Sequence, residues 1–127
     1  MAVIHFSKEG FDKAVAQGSP MLVDFWASWC GICRFTTPDV ARLQSEGESV
    51  MTIALRSGND GEVSRWLSRK RVTFPVVNDS GGEISRNWEI SATPTLVVVS
   101  KGQVVTTTSG WTSYWGMKLR LWRAAMF

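Results

Sequence analysis

The stretch Val23-Asp24-Phe25-Trp26-Ala27-Ser28-Trp29-Cys30-Gly31-Ile32-Cys33 holds both cysteines of a 127-residue chain. The remaining sequence reads as scaffold around it. The apolar run Met21 to Trp26 is short, rich in residues that suit a pleated surface, and stopped by Ala27-Ser28, which predicts a buried strand. After Cys33 the apolar residues Phe35, Val40, Ala41 and Leu43 continue at mixed helical spacing, with Gly47 as the stop. Cys30 is therefore expected at a helix N-terminus, where unpaired backbone N–H groups and the positive end of the helix dipole favour a thiolate over a thiol. Cys33, one turn in, is expected to be shielded. Two intervening residues let the sulfurs close a small disulfide ring with little backbone movement. Such a pair suits thiol–disulfide exchange, one cysteine attacking and the other resolving.

The same spacing occurs in zinc and copper sites. Zinc wants four ligands, and His5, the single histidine, stands without a partner near the N-terminus. No metal is expected in the resting site. A purely structural disulfide is a further reading of the pair, and a two-coordinate copper(I) thiolate site stays open, with the chain acting as a copper relay or chaperone through the same two cysteines.

With 44% hydrophobic residues the chain is expected to form one globular domain, residues 1–127, with a real core. It shows neither a signal peptide nor an apolar run long enough to span a bilayer. The net charge of +3 is mild and no Lys/Arg cluster is interleaved with aromatics early in the chain, which argues against nucleic acid.

Val3 to Phe6 reads as a first strand and Ser7 as the cap of a helix carrying Phe11, Ala14 and Val15, ended by Gly18-Ser19-Pro20. Asn59 and Glu62 are spaced as a capping pair for a helix with Val63, Trp66 and Leu67 on one face. Val76-Val77 is a short strand, and Ile84 to Trp88 a short helix after the turn Asp79 to Gly82. Leu96 to Val99 and Val104 to Thr107 read as an antiparallel hairpin about Lys101-Gly102. Trp115, Leu119, Trp122 and Met126 recur at helical spacing after a cap at Thr112 or Ser113, and core packing is the favoured role for them. After Glu89 the chain has four basic residues and no acidic ones, which keeps a membrane-surface role open for this last helix.

Asp24 interrupts the apolar strand two residues before Trp26, where a carboxylate is costly unless it is protonated or used. An outward-facing edge position is the bland alternative.

The segment Val23 to Arg34 resembles the active site of thioredoxins, and Ala92-Thr93-Pro94-Thr95 looks like that family's cis-proline loop. Val72-Thr73-Phe74-Pro75-Val76-Val77-Asn78-Asp79 resembles the insertion of the TlpA-like branch, whose members are usually membrane-tethered and work outside the cytoplasm. The tail Gly110 to Gly116 resembles the membrane-anchored suppressor-of-copper-sensitivity member of that branch, and the opening resembles ordinary cytosolic thioredoxins. A hybrid, natural or engineered, and a divergent natural sequence are both compatible with that mixture. The resemblance implies an α/β thioredoxin-like single domain, a central mixed sheet with helices on both faces. It implies a disulfide oxidoreductase engaged in electron transport or copper tolerance, with protein thiol or disulfide substrates and a redox partner protein. The chain is expected to act as a monomer with no cofactor besides the Cys30–Cys33 disulfide. The resemblance assigns substrate contact to Trp29, Gly31, Ile32, Thr93 and Pro94, with a cis Thr93-Pro94 bond facing Cys30. It carries Asp24 onto the thioredoxins' buried acid, which passes protons to and from the resolving cysteine. Leu55 stands where a lysine often accompanies that acid, and Thr36 where some TlpA-like proteins have a glutamate. The compartment is periplasmic by the TlpA-like resemblance, and cytoplasmic if the thioredoxin-like opening is native.

Overall fold

The computed structural model describes residues 5–6 and 8–126. In chain order the elements are β1 His5–Phe6, α1 Lys8–Ala16, β2 Met21–Trp26, α2 Cys33–Ser45, β3 Val50–Leu55, α3 Asp60–Lys70, β4 Val76–Asp79, α4 Glu83–Asn87, β5 Thr95–Ser100, β6 Gln103–Ser109 and α5 Tyr114–Met126. The strand residues Val3 and Ile4 and the cap Ser7 expected from sequence lie outside the described residues. The strands form one mixed sheet in the order β1-β4-β3-β2-β5-β6. β2 is parallel to β3 and antiparallel to β5, and β6 closes the edge as the antiparallel partner of β5.

The apolar character of β2 on both sides of Asp24 follows from its central place, with both faces covered. All six of its residues are buried. Strand alternation sends Met21, Val23 and Phe25 into a cluster with Phe11, Met51, Ile53, Val77 and Ile84, against which Ala14, Val15 and Trp88 pack. Leu22 and Trp26 join the cluster on the opposite face, with Cys33, Val40 and Leu43 from α2, Val63, Trp66 and Leu67 from α3, and Met117 and Leu121 from α5. Trp26 anchors that face, its ring stacked 4.7 Å from that of Trp66. Burying a side chain of this size contributes about 3 kcal/mol.

α2 runs on through Pro38, which lacks the N–H that would otherwise reach one turn back. Of its apolar residues Val40 and Leu43 take inner positions together with Thr36, and Phe35 points to solvent.

The capping pair before α3 is formed: Glu62 N–H donates to Asn59 Oδ1 at 2.9 Å and Asn59 N–H to Glu62 Oε1 at 3.2 Å. Asn59→Ala should cost about 1 kcal/mol, read as a lower denaturant midpoint at unchanged slope. An unshifted midpoint would mean that α3 holds its start by packing alone. At the other end of β4, buried Asp79 accepts from Ile84 N–H, Ser85 N–H and Ser85 Oγ, which fixes the start of α4.

Ser113 caps α5, its hydroxyl accepting from Gly116 N–H at 3.0 Å. The face of α5 that packs inward is Tyr114, Met117, Leu121 and Ala124. This corrects the core role expected of Trp115, Leu119, Trp122 and Met126, all of which are exposed. The helix has two apolar stripes, and the inner one carries the smaller side chains that fit close to β5 and α2. None of the described helices is long and apolar enough to cross a membrane.

Candidate active site

Cys30 and Cys33 are joined by a disulfide with their Cα atoms 5.3 Å apart. The chain leaves β2, turns at Ala27 with Cys30 N–H donating to Ala27 O at 3.2 Å, and enters α2. α2 begins at Cys33 with Ile32 in the capping position, so Cys30 precedes the helix and Cys33 opens it, one step later than expected from sequence. The electrostatic consequence survives, because Cys33 N–H, an otherwise unpaired donor of the first turn, points at Cys30 Sγ at 3.3 Å.

The two sulfurs differ in access. Cys33 is wholly buried, at 0% exposure, whereas Cys30 is half-buried and sits between exposed Trp29 and exposed Gly31. Ile32 is also exposed. Thr36 lies beneath Cys33 and donates its hydroxyl to the Cys33 carbonyl at 3.3 Å.

Two groups without any local sequence signal hold this turn in place. Ser28 N–H donates to Ser57 Oγ at 2.9 Å, and Ser57 Oγ donates to Leu55 O at 3.0 Å. Trp29 Nε1 donates to the carbonyl of Arg56 at 3.1 Å, and Arg56 adopts a left-handed φ of 45°. The loop after β3 therefore braces the loop after β2. No local pattern signals this, since the partners are 27 and 29 residues apart.

Asp24 is fully buried in the central strand, which removes the outward-facing alternative. It shares a sheet face with Leu22 and Trp26, the face against which Cys33 packs. Its register partners are Thr52 on β3 and Leu96 on β5. Thr52 directs its hydroxyl to Pro75 O, and neither Asp24 carboxylate oxygen has a hydrogen-bond partner. Loss of hydration pushes the Asp24 carboxyl up from 3.8 to about 7. No lysine accompanies it on the adjoining strand, where β3 reads Val-Met-Thr-Ile-Ala-Leu and Leu55 pairs with Asp79.

The Thr93–Pro94 peptide bond is cis. Pairing of Phe25 with Thr95 puts the loop before β5 at the end of the sheet where β2 finishes, the end from which Cys30 emerges. Thr95 Oγ1 closes the loop onto Ala92 O at 2.6 Å, and Pro94 O accepts from Gly110 N–H at 2.8 Å. Trp29, Cys30, Gly31, Ile32, Thr93 and Pro94 thus share one end of the sheet, with Cys33 and Asp24 inside it. Among the described residues, no cluster of three or more His, Cys, Asp or Glu side chains is placed to hold a metal ion.

The thioredoxin family model matches residues 2–118. A thioredoxin-like protein of Haemophilus influenzae is 46% identical over 122 residues, covering 96% of this chain and 71% of that protein. Its alignment runs through both the opening and the tail of this chain. The sporulation thiol-disulfide oxidoreductase A of Bacillus subtilis is 27% identical over 110 residues, covering 80% of this chain and 67% of that protein. Among solved structures, StoA from Bacillus subtilis superposes with a TM-score of 0.68 at 25% identity, covering 84% of this chain and 83% of that one.

Proposed function

We propose that this chain, which belongs to the thioredoxin family and is a protein disulfide oxidoreductase, works as a monomer in which Cys30 attacks protein disulfides and Cys33 resolves them. In the reducing direction the Cys30 thiolate attacks one sulfur of a substrate disulfide. That bond breaks, its other sulfur leaves as a thiolate, and a Cys30–substrate mixed disulfide remains. Cys33 then gives its proton to the ionised Asp24 carboxylate and attacks Cys30 Sγ. The mixed disulfide breaks, the second substrate thiolate leaves, and Cys30–Cys33 closes. Two electrons pass from the dithiol to the substrate, and a redox partner protein returns them. The reverse sequence oxidises a substrate dithiol. No cofactor beyond the two sulfurs takes part.

The observation that carries this reading is the unequal access of the sulfurs, Cys33 sealed inside and Cys30 half-open with an N–H on its Sγ. The Thr93–Pro94 loop lies at the same end of the sheet as Trp29, Cys30, Gly31 and Ile32, and on this reading backbone groups of Thr93 take an extended substrate segment by strand addition.

The test is reduction of insulin disulfides, run beside copper(I) stoichiometry of the reduced protein. Catalysed reduction, with no tightly held copper, is expected. Tight copper at one per chain with no reductase activity would reassign the cysteines to a copper relay.

A further inference from the structure

α5 carries an outward stripe that the fold does not use. Trp115, Leu119, Trp122 and Met126 are between 52% and 70% exposed. At 3.6 residues per turn they fall within about 60° of arc, roughly opposite the buried stripe. Lys118 borders this arc on one side and Arg123 on the other. Trp111, just before the helix, is exposed as well. A surface helix ordinarily turns charge to water; here the outer face is apolar and only its borders are charged. Between this stripe and the loops at Pro20 and Gly47–Ser49 runs an open groove of ≈ 770 Å³.

We propose that this face of α5 docks on an anionic phospholipid surface. The tryptophans, Leu119 and Met126 would enter the boundary between headgroups and acyl chains, with Lys118 and Arg123 at the level of the phosphates. Charge decides the occupant. All four charged residues after Glu89, Lys101, Lys118, Arg120 and Arg123, are basic. Arg120 is tied to Thr108 Oγ1 and the Gly116 carbonyl on the inner flank. Lys118 donates one hydrogen bond, to Tyr114 Oη, and Arg123 is exposed. Glu48 in the groove lining and Glu46, which accepts from Tyr114 Oη beside Lys118 and pairs with Arg42, offset part of this charge, but Arg42, Lys118 and Arg123 against these two carboxylates leave the face net positive. A second copy docked through the same face would set cation against cation, whereas an anionic bilayer neutralises both borders. Tryptophan is also the side chain best suited to that boundary, apolar in body with one polar N–H.

The full chain is sedimented with vesicles of phosphatidylcholine alone and of phosphatidylcholine mixed with phosphatidylglycerol, at low and high salt. Partition onto the mixed vesicles should exceed that onto phosphatidylcholine by about tenfold or more and fall with salt. Leu119→Glu combined with Trp122→Glu should abolish it, and Lys118→Glu combined with Arg123→Glu should lower it about tenfold or more. Insulin reduction at the wild-type rate in each variant shows that the fold is kept. The proposal is overturned by lack of partition onto the mixed vesicles, or by partition that both variants leave unchanged. It is equally overturned by a concentration-dependent dimer that the Leu119→Glu, Trp122→Glu variant dissolves, which gives the face to a second copy.

Discussion

Cys30→Ser should lose insulin reduction by on the order of 10³-fold or more, because a hydroxyl with its ordinary acidity is a negligible nucleophile toward a disulfide. The loss is expected to be total in practice, since Cys33 is sealed under the turn at 0% exposure and cannot substitute for the missing sulfur. Cys33→Ser should fail differently. Its Cys30 is still half-open and can still attack, but the mixed disulfide then has no internal resolving thiol and persists. Non-reducing gels of each variant incubated with insulin should show a covalent adduct for Cys33→Ser and none for Cys30→Ser. Appreciable turnover by Cys30→Ser would place the attack elsewhere.

Asp24→Asn is expected to change both rate and pH dependence. In the wild type the carboxyl is buried without a partner, and loss of hydration raises it to about 7. In the unfolded chain it titrates near its ordinary value of 3.8. Between those two values the folded state holds more protons than the unfolded one, so folding stability falls as pH rises through that window and is flat above it. A shift of that size corresponds to roughly 4 kcal/mol. Asp24→Asn should remove the slope, leaving stability near the wild-type value at low pH and up to a few kcal/mol higher above neutrality. In the proposed mechanism the same buried base takes the Cys33 proton, so resolution should slow roughly tenfold to a hundredfold and lose its inflection near neutral pH. Denaturant melts of the oxidised forms and stopped-flow reduction across pH measure the two effects. Equal resolution rates at every pH would make Asp24 a structural residue, and a variant less stable above neutrality would mean that its burial is not the dominant cost.

The sequence made the central strand and its cysteines legible for local reasons. Met21 to Trp26 is apolar apart from Asp24 because both of its faces are covered, and Ala27-Ser28 stops it where the turn to Cys30 starts. Asn59 and Glu62 showed the start of α3 because a capping box is a spacing rule. What stayed hidden depends on contacts between distant segments. Ser57 and Arg56 brace the Ser28-Trp29 turn from another loop, with no periodicity to mark them. In α5, periodicity found an apolar stripe but could not tell which of two stripes meets the sheet. The bulkier one was expected inside, yet Met117, Leu121 and Ala124 pack there and the tryptophans remain outside. Phe35 likewise stands outside, while the threonines Thr36 and Thr37 take inner positions of α2.

The division of labour between the two sulfurs is the centre of this account, and timed alkylation of the reduced wild-type protein tests it most directly. With limiting iodoacetamide at neutral pH, peptide mass spectrometry should find Cys30 labelled at least about tenfold faster than Cys33. Faster labelling of Cys33, or equal labelling of both, would contradict it.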